Sequence, residues 1–197
     1  IIEVLGLTVA GRTSDMSSGA VQSIVSTGIP GLDELLRGGL TTDRMYLVQG
    51  DPGTGKTTLA MQFLMEGRQR GEPCLYVTLS ETIRELRAVA ASHGWSLEGL
   101  ELFQLAASDS PAAQDDYTLY HPSEVELGET VKAMLGSVER ARPTRVVFDS
   151  LSEMRLLARD PLRYRRQILA LKEYFAGRAC TVLLLDDNTP EDGDLQL

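Results

Sequence analysis

The chain has 197 residues, 43% of them hydrophobic, with a formal net charge of −9 and a pI near 4.8. That length buries one good core and is short for two of ordinary size. The acidic balance argues against a broad nucleic-acid surface, which needs clustered Lys and Arg to displace counterions; no apolar run approaches the roughly 20 residues of a membrane span, and IIEVLGL at the start lacks the charged flank of a signal peptide.

Residues 1–22 read as an N-terminal tail and linker, because GRTSDMSSG (Gly11 to Gly19) is small, polar and flanked by glycine. The folded domain is expected over 23–197. Apolar runs at Met45–Gln49, Cys74–Leu79, Leu100–Leu105, Arg145–Asp149 and Thr181–Asp186 predict buried strands. TTLAMQFLMEGRQRG, between the first two, predicts a helix capped by Gly71. The segment Ala106–Pro122 lacks periodicity, holds Asp109, Asp115 and Asp116, and reads as a mobile surface loop. SEVELGETVKAMLGSVERA predicts a second helix, with Ser123 and Glu126 at capping-box spacing. A third starts at Asp160 with Pro161 in its first turn, carries the stripe Tyr164, Ile168, Leu171 and Phe175, and stops at Gly177. Strands alternating with helices of this length imply an α/β fold, a mainly parallel sheet with helices on both faces. Cys74 and Cys180, the only cysteines, lie in strand-like runs and read as two buried free thiols, which suits a cytoplasmic protein. The chain does not begin with Met, so a piece of a longer polypeptide is expected.

The stretch Gly50, Asp51, Pro52, Gly53, Thr54, Gly55, Lys56, Thr57 matches G-x-x-x-x-G-K-[ST] at every fixed position, and Thr58 extends it. Glycines allow backbone angles and close approaches that side chains block, so successive N–H groups can point at phosphate oxygens. Lys56 adds charge at the β and γ phosphates, Thr57 offers its hydroxyl to Mg²⁺, and the helix that follows presents its positive end. With no nucleotide bound, the Lys56 charge is expected in solvent. Mg²⁺ needs a second anchor, and Asp149, closing RVVFD on a strand expected beside the loop strand, fits. Asp186, closing TVLLLD, competes for that role from a neighbouring strand, where a polar tip could sense the γ-phosphate.

The stretch STGIPGLDELLRGGL, followed by a strand, GDPGTGKTTLAMQFL and YVTLSET, resembles the RecA-like ATPases of the KaiC type. The lead-in TGIPGLDELLRGGL is the specific element, and the resemblance spans about Ser23 to Asn188. It implies a RecA-like core that assembles into a homo-oligomeric ring, commonly a hexamer, with ATP and Mg²⁺ held between subunits. Two departures stand out. The family carries two consecutive glutamates after the second strand, one of which polarises the attacking water; here the pair reads Ser80, Glu81, so general-base work falls to Glu81, unless that residue merely caps the next helix. The family core also continues with strands bearing Lys and Arg that reach a neighbour's γ-phosphate, so a C-terminally incomplete core is expected.

Smaller features have plainer readings. RYRR (Arg163 to Arg166) reads as a solvated helix face, His93 and His121 lack a second ligand at metal spacing, and Trp95 reads as a loop anchor. The functional expectation is an MgATP-binding ATPase that acts as an oligomeric switch, with Lys56 and Glu81 catalytic and regulatory proteins as candidate partners. The alternative is a non-catalytic nucleotide-binding scaffold. A recombinase reading is disfavoured by the acidic balance.

Overall fold

A computed structural model describes residues 2–4, 23–105 and 122–188. In chain order the elements are β1 (Ile2–Val4), β2 (Ile24–Val25), α1 (Pro30–Leu35), β3 (Leu40–Thr41), β4 (Met45–Gly50), α2 (Lys56–Gln69), β5 (Cys74–Thr78), α3 (Ile83–Ser92), β6 (Glu101–Gln104), α4 (Pro122–Ala141), β7 (Arg145–Asp149), α5 (Leu151–Ala158), α6 (Pro161–Phe175) and β8 (Thr181–Asp187). Six strands form one sheet in the order β1-β4-β8-β7-β5-β6. Five of them run parallel, and β1 is antiparallel to β4.

Alternation along the strands sorts the core onto two faces. Met45, Leu47, Leu75, Val77, Val146, Phe148, Val182 and Leu184 point to the face packed by α4, α5 and α6, where Met134, Met154, Leu171 and Phe175 meet them. Tyr46, Val48, Tyr76, Val147, Leu183 and Leu185 point the other way, against Met61, Phe63 and Leu64 of α2 and Leu86 of α3. Near-continuous apolar strands are what a sheet covered on both sides requires. Because the strands are parallel, their C-terminal tips share one edge. Gly50 of β4 lies opposite Asp187 of β8, Leu185 opposite Asp149 of β7, and Asp149 opposite Thr78 of β5.

Most expected elements are present within a residue or two. Asp160 caps α6 by accepting from the amides of Leu162 (2.7 Å) and Arg163 (3.3 Å), and Gly177 follows at φ 78°. Strand order differs from the sequence reading. The strand ending in Asp149 is not beside the loop strand β4, because the crossover through α6 returns β8 between them. Two short helices were not legible: α1, which buries no residue, and α5, whose Ser150 N-cap makes no side-chain bond. The expected loop at 106–121 and the side chains of Ser123 and Glu126 lie outside the described residues. Both cysteines are buried and free, and burial pushes their thiols up, Cys74 to about 11 and Cys180 to about 12. Among the described residues no helix is long and apolar enough to cross a membrane.

The lead-in to the loop strand is held by polar contacts. Asp33 of α1 accepts from the Ser26 hydroxyl (2.7 Å), the Thr27 amide (2.8 Å) and the Thr27 hydroxyl (2.7 Å). Burial opposes its charge, yet these bonds hold its carboxyl below the usual range. Gly39, at φ 136°, passes so close to β2 that an added Cβ would stand 2.2 Å from the Val25 carbonyl oxygen. Arg145, fully buried at the start of β7, joins this lead-in to the body. Its Nε and Nη2 take both oxygens of Glu72 (2.6 and 3.0 Å), and its Nη1 donates to the carbonyls of Ser26 (2.7 Å) and Phe63 (2.9 Å).

Room for that guanidinium comes from Gly67 of α2, where an added Cβ would meet Arg145 Cδ and Nε at 2.6 Å and Cys74 Sγ at 2.7 Å. Gly67→Ala is therefore expected to destabilise the fold by about 1–2 kcal/mol, overpacking outweighing the helix-propensity gain of about 1 kcal/mol. Gly128→Ala, where a Cβ on α4 meets nothing within 4 Å, should stabilise instead. Paired urea titrations check both signs.

Candidate functional site

Between β4 and α2 the chain makes the glycine-rich turn. Thr54 closes it, donating from its amide (3.2 Å) and hydroxyl (2.8 Å) to the Asp51 carbonyl, while Gly53 and Gly55 sit at φ 80° and 89°. Gly55 is the N-cap of α2, so the unpaired amides of the first helical turn open onto the loop. Asp51, Pro52, Gly53, Thr54 and Gly55 are exposed; Lys56, Thr57 and Thr58 are half-buried at the helix start.

Lys56 does not stand in solvent as its sequence position suggested. Its side chain is 11% exposed, and its Nζ donates to the carbonyls of Gly50 and Asp51 (both 2.9 Å) and pairs with Asp187 Oδ1 at 2.8 Å. The next residue, Asn188, donates from its side chain to Asp51 Oδ1 (3.0 Å) and from its amide to the Gly50 carbonyl (3.2 Å). The tip of β8 thus grips the loop from the neighbouring strand.

Although its strand is one removed from β4, Asp149 reaches the loop helix. It is 7% exposed, and its Oδ2 accepts from the Thr57 hydroxyl (3.0 Å) and the Tyr76 hydroxyl (2.5 Å). Burial pushes the Asp149 carboxyl up, against the two hydroxyl bonds. Burial and the Asp149 charge push the Tyr76 hydroxyl far above its ordinary value, so it stays a donor. Sequence reasoning missed Tyr76; the available signal was a phenol inside the buried strand CLYVT, where a hydroxyl must find a partner. Asp186 is committed elsewhere, accepting from Ser152 Oγ (3.0 Å) and paired with Arg155, both on α5.

At the tip of β5, Ser80 is exposed and Glu81 half-buried. Capping of α3 belongs to Thr82 and Glu85, which form a reciprocal box, so Glu81 is not its cap. The Glu81 backbone is locked instead by Thr78, whose hydroxyl accepts from the Glu81 amide (3.0 Å) and donates to its carbonyl (2.7 Å). Glu81 Oε2 is buried and has no hydrogen-bond partner among the described residues. Burial, then the charges of Asp149 and Glu85, push its carboxyl up.

These residues fit a phosphate chain with Mg²⁺. The amide-lined turn and Lys56 suit phosphate oxygens, and the touching pair Thr57 and Asp149 offers two oxygens on one side of the loop. No cluster of three His, Cys, Asp or Glu placed to hold a metal occurs among the described residues. That spare donor set fits an ion completed by phosphate and water. Away from this edge, RYRR shows Arg165 and Arg166 exposed and Arg163 half-buried, and Trp95 stacks on His93 at 4.7 Å while packing on the core. A 210 Å³ surface cavity lined by Met65, Arg68, Gln69, Gly94, Trp95 and Ser96 lies at the far end of α2 from the loop.

The family model described as the KaiC ATPase matches residues 25–196. The chain is 34% identical over 167 residues to a UPF0273 protein of Pyrococcus furiosus, covering 82% of this chain and 67% of that one. It is 30% identical over 179 residues to the circadian clock protein KaiC3 of Synechocystis, covering 87% of this chain and 34% of that protein. The crystal structure of a KaiC-like protein from Pyrococcus horikoshii superposes with a TM-score of 0.67 at 29% identity, covering 84% of this chain and 72% of the other.

Two substitutions separate the acidic tips. Asp149→Asn is expected to raise the Mg²⁺ concentration needed for nucleotide binding by about tenfold or more, since it removes a charged oxygen from beside Thr57. Asp186→Asn should leave that requirement unchanged and lower thermal stability, because it strips the carboxylate from Arg155. Nucleotide titrations at stepped Mg²⁺, with melting curves alongside, check the pair.

Proposed function

Because the chain belongs to the KaiC family of ATPases, we propose that it binds MgATP in the loop Gly50 to Thr58 and hydrolyses it, with ATP lying at the contacts of a ring of copies so that hydrolysis switches the assembly. The observation that carries the catalytic part is Glu81, a half-buried carboxylate with an oxygen that has no partner among the described residues, on the sheet edge where Asp149 meets Thr57.

In this reading the loop amides and Lys56 bind and orient the phosphates, and Thr57 and Asp149 hold the metal. Mg²⁺, when bound, neutralises charge on the phosphate oxygens. Tyr76 keeps Asp149 aimed at Thr57. Glu81 takes a proton from the attacking water at its free Oε2, and Thr78 fixes the backbone from which it reaches. A carboxyl raised by burial is a stronger base at neutral pH than an ordinary glutamate. The exposure of Asp51 to Gly55 supports the interface placement, since a second copy could approach the phosphates from that side. One observation favours the scaffold alternative, in which ATP only joins subunits: exposed Ser80 stands where the family's first glutamate would be, so a single carboxylate is left for the water.

Single-turnover hydrolysis decides between the readings. Glu81→Gln is expected to slow the chemical step by about 10²- to 10⁴-fold with ATP affinity unchanged, the span of a lost general base. The wild-type rate should climb with pH through an ascending limb above the usual glutamate range, because only the deprotonated form accepts a proton and burial raises that carboxyl; Glu81→Gln should lack the limb. A wild type that binds MgATP and assembles on it without any hydrolysis would establish the scaffold.

A further inference from the structure

We propose that Asp187 is a built-in competitor for the phosphate-binding lysine, poised to pass from Lys56 to Ser152 of α5 when a nucleotide enters. The inference rests on the nucleotide reading of the loop and concerns how that site is regulated. All three Lys56 ammonium donors are engaged, by the Gly50 carbonyl, the Asp51 carbonyl and Asp187 Oδ1. A phosphate oxygen arriving at Lys56 must displace one of them. The two carbonyls are neutral and belong to the loop itself, whereas the carboxylate is an anion beside an incoming polyanion, so it is the partner that leaves.

The register makes the competition unavoidable. Gly50 and Asp187 are direct partners across the parallel pair β4–β8, which fixes the Asp187 backbone opposite the start of the loop. Only its side chain can withdraw. A second partner already waits on the far side: Ser152 Oγ lies 3.5 Å from Asp187 Oδ2 and accepts from the Asp187 amide at 3.2 Å. The same serine hydroxyl holds Asp186, and Arg155 one turn on pairs with Asp186, so the tip of β8 is tied to α5. Moving the Asp187 carboxylate from Lys56 to Ser152 turns the single hydroxyl proton from Asp186, which keeps Arg155, to Asp187, and so exchanges a tie to the phosphate loop for a closer tie to α5. Occupancy of the loop is thereby reported to α5 and to the chain leaving β8.

The test is MgATP affinity, by calorimetry, in the wild type, Asp187→Asn, Asp187→Ala, Ser152→Ala and the double variant Ser152→Ala with Asp187→Ala. Removing the competing charge is expected to tighten binding about tenfold in both Asp187 variants, the worth of a partly buried ion pair plus relief of like-charge repulsion. Ser152→Ala removes the waiting partner and should weaken binding about threefold, the worth of one net hydrogen bond, with no effect once Asp187 is Ala and has no side-chain acceptor left. Unchanged or weaker affinity in both Asp187 variants overturns the competitor. A Ser152→Ala effect that persists in the double variant overturns the hand-over to α5. If neither the wild type nor any variant binds MgATP, the nucleotide reading itself falls and takes this inference with it.

Discussion

The arrangement of this molecule depends on one buried guanidinium. A charge with no exposure persists inside a protein only when it is paired and hydrogen-bonded, since leaving it unpaired costs several kcal/mol. Arg145 meets that condition by using three segments at once: Glu72 before β5, the Ser26 carbonyl in the lead-in, and the Phe63 carbonyl and ring face of α2, the ring centroid lying 4.8 Å from Cζ. None of the three can shift without stranding the charge. Asp149 lies four residues further along the same strand, at the opposite end of β7. Clamping α2 against β7 at one end thus sets their separation at the other, where Thr57 meets Asp149 at 3.0 Å. The specific sequence TGIPGLDELLRGGL finds its physical meaning in this clamp, because Asp33 folds the lead-in so that Ser26 presents its carbonyl to Arg145.

The opposite edge of the sheet gathers acids. The Asp149 carboxyl is raised by burial and by the Asp187 charge, Glu81 feels Asp149, and Lys56 is the cation set among them. An arrangement of this kind holds its charges under strain until a ligand rebalances them, the usual condition of a site built for binding rather than for stability. Tyr76 and Thr57 temper it by donating to the same oxygen of Asp149. Among the described residues Glu81 has no such donor on Oε2, so its carboxylate is not held in place as that of Asp149 is.

Much of the fold was legible because it is encoded by neighbours along the chain. The strand Arg145–Asp149 was read to the residue, and Asp160, Pro161 and Gly177 bounded α6 correctly, since caps and apolar alternation act over a few residues. The glycine-rich turn from Gly50 to Gly55 was legible for the same reason: its positive φ angles and the helix start after it are set by consecutive residues. Helix α5 escaped because eight residues carry little periodicity and its N-cap makes no side-chain bond.

What the sequence by itself determined is therefore the parts: the strands, the long helices, the loop from Gly50 to Thr58, and the acidic residues that end β7 and β8. Only the tertiary structure decided which parts meet. It placed β8 between β4 and β7, gave Asp149 to Thr57 and Tyr76, gave Asp186 to Arg155, and set Asp187 against Lys56. The partners in those pairs stand 31 to 131 positions apart, or 92 in the case of Thr57 and Asp149. Their meeting is fixed by the order in which crossovers return strands to a sheet and by the packing of two cores, and neither quantity is carried by any local run of residues.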